Sequence, residues 1–574
     1  VDLSRVTLVE LVLSLRAGEV SPAEVAGHFL DRIEEQGDLG AFVEVTRERA
    51  LAQAAALGSA PLEGQPLWGV PMADKDLVAR AGVPTRYGSA AFRDYVPDVS
   101  DPLAAALDRL GSVSLGKTST PEFGMTGYTE PAAGVPARNP WDPATGAGGS
   151  SGGAAIAVAT GMLPATTASD AGGSIRIPSA TVGVVGLKPA RGRLPFSNGL
   201  GSPGGLATAG PITRTVADAA YVLDALVGSA PRVHATAAPD PHRASVGHGG
   251  RGALAEHRSC SATGAAGEAG AVAGDAGRDA RFVGAAGAVA GDAGRDARFV
   301  GEAGAVAGDA GRGGATAGDA DRDARFVGAV GAGDASRDPR AASFLASAGP
   351  FSRALLEDPG RLRIGVTLVT PWDGWTDTTL DPRARDAWEW AARALTGNGH
   401  DVTDADWHPR GYPELFTTIW RASAARLPVA DADLDDLLEP FTAWMVREGR
   451  SMSAYEALGG YQAAGQFESE TIAALAPFDA VLTPALAMDP QAIGWTADGT
   501  TPMENFARQC QYAPHTSFVN VSGLPAITIP VPAPAGERPW SVQLVGRPGG
   551  EARILQLALQ LEAARGALPY PPGF

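Results

Sequence analysis

Ser169-Asp170-Ala171-Gly172-Gly173-Ser174-Ile175-Arg176 is the stretch on which the reading of this chain turns. Small residues precede the second serine, so consecutive peptide groups can turn toward a single point beside its hydroxyl. A serine hydroxyl is a weak nucleophile until a neighbouring base removes its proton. Cleavage of an acyl bond also needs donors for the developing oxyanion, each worth roughly 3 kcal/mol. The N–H groups of Ala171, Gly172, Gly173 and Ser174 are arranged in sequence to supply them. Read alone, however, paired glycines before a serine are equally a tight entry into a helix.

Two further places lie upstream. Ala73-Asp74-Lys75-Asp76 puts a lysine at the end of the apolar run Leu67–Met72, and Gly148-Gly149-Ser150-Ser151-Gly152-Gly153 is a glycine-rich loop. A lysine between acids is usually a solvated charge, and a Gly/Ser run is usually a flexible turn. A phosphate cradle is the obvious competitor. Walker-type loops need Gly-Lys-Ser/Thr, whereas Ala154 and Ala155 follow here, and the spacing of a dinucleotide fingerprint is missing.

Histidine is the usual partner of a nucleophilic serine, but the eight in this chain are poorly placed for it. His234, His242, His248 and His257 fall in a low-complexity segment. His28 lies on a surface-type helix, and His400 and His408 flank a turn. Only His515 sits in an apolar stretch that could line a site. A lysine can serve instead if burial lowers its pKa from ~10.4 toward neutrality.

Taken together, the three motifs closely resemble the amidase signature family. A Lys-Asp pair, a Gly-Gly-Ser-Ser-Gly-Gly loop and Asp-x-Gly-Gly-Ser-Ile-Arg occur in the family's order, with fitting separations. Further matches are Lys117-Thr118 with Glu122-Phe123-Gly124, Gly186-Leu187-Lys188-Pro189, and Gly210-Pro211 with Arg214-Thr215-Val216-Ala217-Asp218. Asn520 to Ala526 and Val542-Gln543-Leu544-Val545-Gly546 complete the set. The resemblance implies a triad in which Ser174 attacks, Ser150 relays the proton and Lys75 is the base. It also implies a cis peptide bond before Ser150, an oxyanion hole from Ala171, Gly172, Gly173 and Ser174, and support from Ser151, Asp170 and Arg176. Ala171 departs from the more usual Thr or Ile, which should alter pocket shape more than catalysis. No metal or organic cofactor is implied.

Around these motifs the chain alternates short apolar runs, glycine turns and helical stretches, the pattern of an α/β layered fold. The resemblance sharpens this to a large central mixed, twisted β-sheet with helices on both faces. Thr7-Leu8-Val9-Glu10 and Ser21-Pro22-Ala23-Glu24 are capping boxes. Val182–Leu187, Leu362–Val366, Val481–Pro484, Ala526–Pro530 and Trp540–Val545 read as strands, and Asp381–Leu395 as an amphipathic helix.

The expected organisation is an amidase domain in two parts, residues 1–228 and 340–574, interrupted by residues 229–339. That interruption is rich in Gly, Ala, Asp and Arg. A unit beginning at Ala269 recurs at Ala286, with Phe282 and Phe299 marking the period and a degenerate copy leading to Phe326. Each unit offers little apolar surface against the entropy of ordering, so the segment reads as a disordered insertion without chemistry.

The 574 residues, 45% of them hydrophobic, allow a sizeable core. A net charge of −18 disfavours nucleic acid as a general partner. Cys260 and Cys510 fit no metal spacing or disulfide framework and are compatible with a reducing cytoplasm. Val6–Leu15 is broken by Glu10 and lacks a basic leader, and no long uncharged apolar run suggests a membrane span.

Expected activity is therefore hydrolysis of a small or medium carboxamide by a cytoplasmic enzyme, with a homodimer left open. The family also includes the glutaminase subunit of the tRNA-dependent amidotransferase. Against that reading, Ala190-Arg191-Gly192-Arg193-Leu194-Pro195 lacks the tyrosine usual there. A non-catalytic binding scaffold is the third reading, opposed by the intact Lys75, Ser150 and Ser174. Substrate choice is expected from Met125–Thr129, with Met125 and Gly127 as candidate contacts, and from Ile493–Trp495. Aryl-amidases and linear- or cyclic-amide hydrolases stay unranked.

Overall fold

Both N-terminal capping boxes form. Thr7 and Glu10 cap the helix Leu8–Arg16 reciprocally, and Ser21 and Glu24 do the same for Pro22–Glu35. The computed structural model describes residues 2–3, 5–194, 205–229 and 339–574. The repeat segment expected to be an insertion lies outside the described residues.

Thirteen strands follow in chain order among the described residues. They are β1 Phe42–Val45, β2 Pro71–Lys75, β3 Val113–Thr118, β4 Arg138–Asn139, β5 Asp142–Gly146, β6 Ala165–Asp170 and β7 Val185–Lys188. Then come β8 Thr208–Thr213, β9 Arg363–Val366, β10 Asp401–Asp404, β11 Ala480–Pro484, β12 Ala526–Pro530 and β13 Ser541–Gly546. Eight of them form one mixed sheet in the order β10-β9-β11-β13-β12-β7-β8-β6. The pairs β10/β9 and β9/β11 are parallel and the others antiparallel. A smaller sheet, β1-β3-β2, carries Lys75 at the end of its edge strand.

The two sheets meet where the site will form. Thr166 of β6 donates its hydroxyl to the Ala73 carbonyl of β2 at 2.7 Å. Helices 382–397, 216–229 and 551–565 pack on the large sheet, as do the shorter helices 152–159 and 176–182. Helix Glu551–Arg565 is buried around most of its circumference, including Ile554, Leu555, Leu557, Ala558 and Leu561. Its buried residues also include Glu551, Gln556 and Glu562. Each of these is held by hydrogen bonds, Glu551 to Arg193, Gln556 to the Ala354 carbonyl and Glu562 to the Val216 N–H.

The segments read as strands are found with small shifts, except at Val182. Helix Arg176–Val182 runs through that residue and stops at Gly183, whose φ of 74° is the left-handed conformation that glycine accepts most readily. Two helices, Pro339–Ala348 and Pro350–Ala354, precede the strand expected from Leu362. Among the described residues no helix is long and apolar enough to cross a membrane.

Candidate active site

Lys75 closes the edge strand of the small sheet and is 1% exposed. Its Nζ donates to Ser150 Oγ at 2.7 Å and lies 3.4 Å from Ser169 Oγ. Burial pulls its pKa down to about 7, against the opposing pull of the Asp170 carboxylate. A lysine at that value is neutral for a large part of the time near pH 7, so it can accept a proton.

Ser150 follows a cis peptide bond from Gly149 and is 1% exposed. Gly149 is pressed onto the backbone of Tyr128, where an added Cβ would stand 2.5 Å from the Tyr128 carbonyl carbon. Only glycine allows that approach. Ser151, beside it, is fully buried, with its hydroxyl 3.4 Å from the Ser169 carbonyl.

Ser174 sits between β6 and helix Arg176–Val182 and faces a cleft also lined by Gly124, Met125, Gly127 and Gly172. A Cβ placed on Gly124 would lie 3.3 Å from Ser150 Oγ, so Ser150 stands at the edge of the cleft that Ser174 lines. Lys75, Ser150 and Ser174 are thus brought to one place, as are the two candidate contacts Met125 and Gly127.

Beneath the loop lies a buried charge pair. Arg176 and Asp170 are both 0% exposed and joined at 2.9 Å. Arg176 also donates to the Thr516 carbonyl, Gln543 Oε1 and Asn520 Oδ1, while Asn520 Nδ2 donates to Asp170. Arg176 and these hydrogen bonds hold the Asp170 carboxyl well below the usual carboxylate range despite its burial. The Asn520 and Gln543 motifs of the C-terminal third therefore act on the loop of the first third. Lys188, also buried, donates to the Pro189 carbonyl, and desolvation lowers its pKa to about 7.

One expectation needs correcting. The Gly173 N–H is directed at Asp170 Oδ1, 2.8 Å away, rather than toward the cleft. Gly173 takes up φ 134° to do so. Its peptide group holds the loop in shape, and Ala171, Gly172 and Ser174 remain as the loop's candidate oxyanion donors. The Gly172 carbonyl in turn accepts the Thr516 hydroxyl at 2.8 Å.

The sequence reading missed the opposite wall. Trp372, Phe416, Trp420 and Phe506 line the cleft together with Gln509 and Cys510. Phe416 and Trp420 are one turn apart on helix Tyr412–Ala424. That i, i+4 spacing in an amphipathic helix is the only signal that would have found them, and it is shared by any core helix. Gln509 Oε1 accepts the Gly127 N–H at 2.8 Å, fixing the Met125–Gly127 turn. Trp495, from the second segment expected to set specificity, lines a neighbouring hollow with Gly127 and Gln509.

His515 is fully buried, with Nε2 3.2 Å from the Leu368 carbonyl, and desolvation lowers its pKa to about 4. It does not line the cleft, although Thr516 and Ser517 do. Among the described residues no group of three or more His, Cys, Asp or Glu side chains is placed to hold a metal ion.

Comparison with known proteins adds five findings. The model of the family described as Amidase matches residues 24–248 and 318–555. A putative amidase of Synechocystis sp. is 27% identical over 577 residues, spanning 98% of this chain and 89% of that one. One component of the glutamyl-tRNA(Gln) amidotransferase of Burkholderia pseudomallei is 42% identical over 224 residues, which is 39% of this chain and 45% of that component. Among solved structures, 6-aminohexanoate cyclic dimer hydrolase is similar with a TM-score of 0.71 at 25% identity, covering 98% of each chain. The peptide amidase of Stenotrophomonas maltophilia shares the fold, with a TM-score of 0.64 at 22% identity, covering 99% of each chain.

Proposed function

The chain belongs to the amidase family and is an amide-hydrolysing enzyme, and on that premise we propose that it works through a seryl acyl-enzyme at Ser174. Neutral Lys75 withdraws the Ser150 proton as Ser150 takes the proton of Ser174. The Ser174 oxygen then adds to the amide carbonyl carbon. The oxyanion is held by the Gly172 and Ser174 N–H groups with Ala171, in a loop whose shape Asp170 and Arg176 maintain. The proton passes back through Ser150 to the amide nitrogen, the C–N bond breaks and the amine leaves. Water, activated by the same pair, releases the acid.

The observation that carries this reading is the 2.7 Å hydrogen bond between a fully buried lysine and Ser150. Among the described residues Lys75 forms no direct ion pair with a carboxylate, and its buried setting is the one a lysine base needs. Small or medium carboxamides are the proposed substrates, and the proposed setting is cytoplasmic. The test is a panel of amides assayed for released ammonia or amine with wild type and Ser174→Ala. Turnover by wild type and none by the variant is expected. Turnover undiminished in Ser174→Ala removes the proposal.

A further inference from the structure

Resting on the assignment of Ser174 as nucleophile, we propose that the substrate is an uncharged carboxamide carrying a short aliphatic group, and that Phe416 and Trp420 set its size limit. Two observations lead there, one of charge and one of space.

Among the described residues, no Asp, Glu, Lys, Arg or His side chain lines the cleft in front of Ser174. Its polar groups are hydroxyls, an amide and one thiol, several already engaged. Thr516 donates to the Gly172 carbonyl, and Ser517 Oγ accepts the Trp372 Nε1–H. A substrate bearing an ammonium or carboxylate near its amide would lose its hydration there and find no counter-charge. Glutamine, which carries both, is disfavoured, and with it the glutaminase alternative.

The space is small. About 60 Å³ is open in front of Ser174, and a three-carbon chain fills far less of such a cleft than a six-carbon ring. The wall that limits it stands over the oxyanion loop itself. A Cβ on Gly172 would lie 3.4 Å from Phe416 Cζ and 3.7 Å from Trp420 Cη2. Nor is the wall free to swing. Phe416 and Trp420 stack with centroids 5.1 Å apart, and Trp372 meets Phe416 edge-on at 5.7 Å. Trp420 Nε1 is tied to the Met125 carbonyl at 3.1 Å. Rings locked in this way exclude a phenyl group while giving aliphatic carbons close contacts.

The experiment measures kcat/KM of the purified full chain for butyramide, propionamide, benzamide and glutamine, in wild type and in Phe416→Ala. Wild type is expected to prefer butyramide to benzamide by ~10-fold or more and to turn glutamine over least, the scale of pocket discrimination between close analogues. In Phe416→Ala the butyramide-to-benzamide ratio is expected to fall by ~10-fold or more. If that variant does not fold, Phe416→Leu is expected to shift the ratio in the same direction by less. Benzamide or glutamine cleaved as well as butyramide, or a ratio unmoved by a folded Phe416 variant, overturns the inference while leaving Ser174 in place. Turnover of none of the four amides by folded wild type also overturns the inference, and the Ser174 assignment is judged separately by the broader amide panel with Ser174→Ala.

Discussion

Asp170 accepts the Gly173 N–H at 2.8 Å, so the loop that presents Ser174 is held from below by a carboxylate, not only by its own turn. The same carboxylate takes the Ile175 N–H and pairs with Arg176. The serine and its neighbouring donors are thus fixed to a buried charge pair that reaches across to Asn520 and Gln543.

Replacing Asp170 by Asn should leave the buried Arg176 charge without its partner. Loss of one member of a buried pair costs about 3–5 kcal/mol. Urea unfolding should show destabilisation of that order, with kcat reduced in whatever fraction stays folded. A variant of wild-type stability would mean that the pair does not hold the loop.

Gly173→Ala tests the loop by backbone geometry. At φ 134° an L-residue is strained, and the added Cβ would run into the Thr516 side chain. A cost of about 1–3 kcal/mol is expected from the backbone alone, with kcat falling by more than KM changes. Urea unfolding and steady-state kinetics on the same preparation separate the two.

The pH dependence follows from Lys75. Burial lowers its pKa to about 7, and the base must be neutral. Below that value kcat/KM should fall about tenfold per pH unit, and above it should level off. Lys188 is pulled down to about 7 as well. The two are distinguished by variants: Lys188→Met should retain the inflection, whereas Lys75→Arg, which cannot deprotonate, should be inactive at every pH. An inflection lost in a folded Lys188→Met would reassign the base.

The local motifs were legible because each is contiguous: the lysine after an apolar strand, the glycine loop around Ser150, the small residues before Ser174. What could not be read was anything built across the chain. Phe416 and Trp420 show the periodicity of an ordinary packed helix, and nothing in their spacing places them over Gly172. Asn520 and Gln543 stand out in the sequence as landmarks, but their purpose emerges only with Arg176 between them. Gly173 reads as an oxyanion donor in the sequence because the order of peptide groups does not say where each N–H points. At Val182, apolar residues suit helix and strand alike, and Gly183 decides the boundary.

The low-complexity stretch supports a separate expectation. Its flanking helices pack together, with the Tyr221 and Phe344 rings 5.1 Å apart. We propose that replacing residues 233–337 by a short Gly/Ser linker preserves kcat/KM and the thermal midpoint. Loss of activity in a soluble, folded deletion variant would show that the repeats take part in function.

The central claim is that the acyl group passes through Ser174, and trapping tests it most directly. The enzyme is mixed with an activated ester of a short aliphatic acid, quenched in acid and digested. The peptide bearing Ser174 is then examined by mass spectrometry. The account expects the acyl mass on Ser174 in wild type, and none in Ser174→Ala or Lys75→Ala. An adduct on a different residue, or hydrolysis with no adduct under conditions where acylation outruns deacylation, would contradict it.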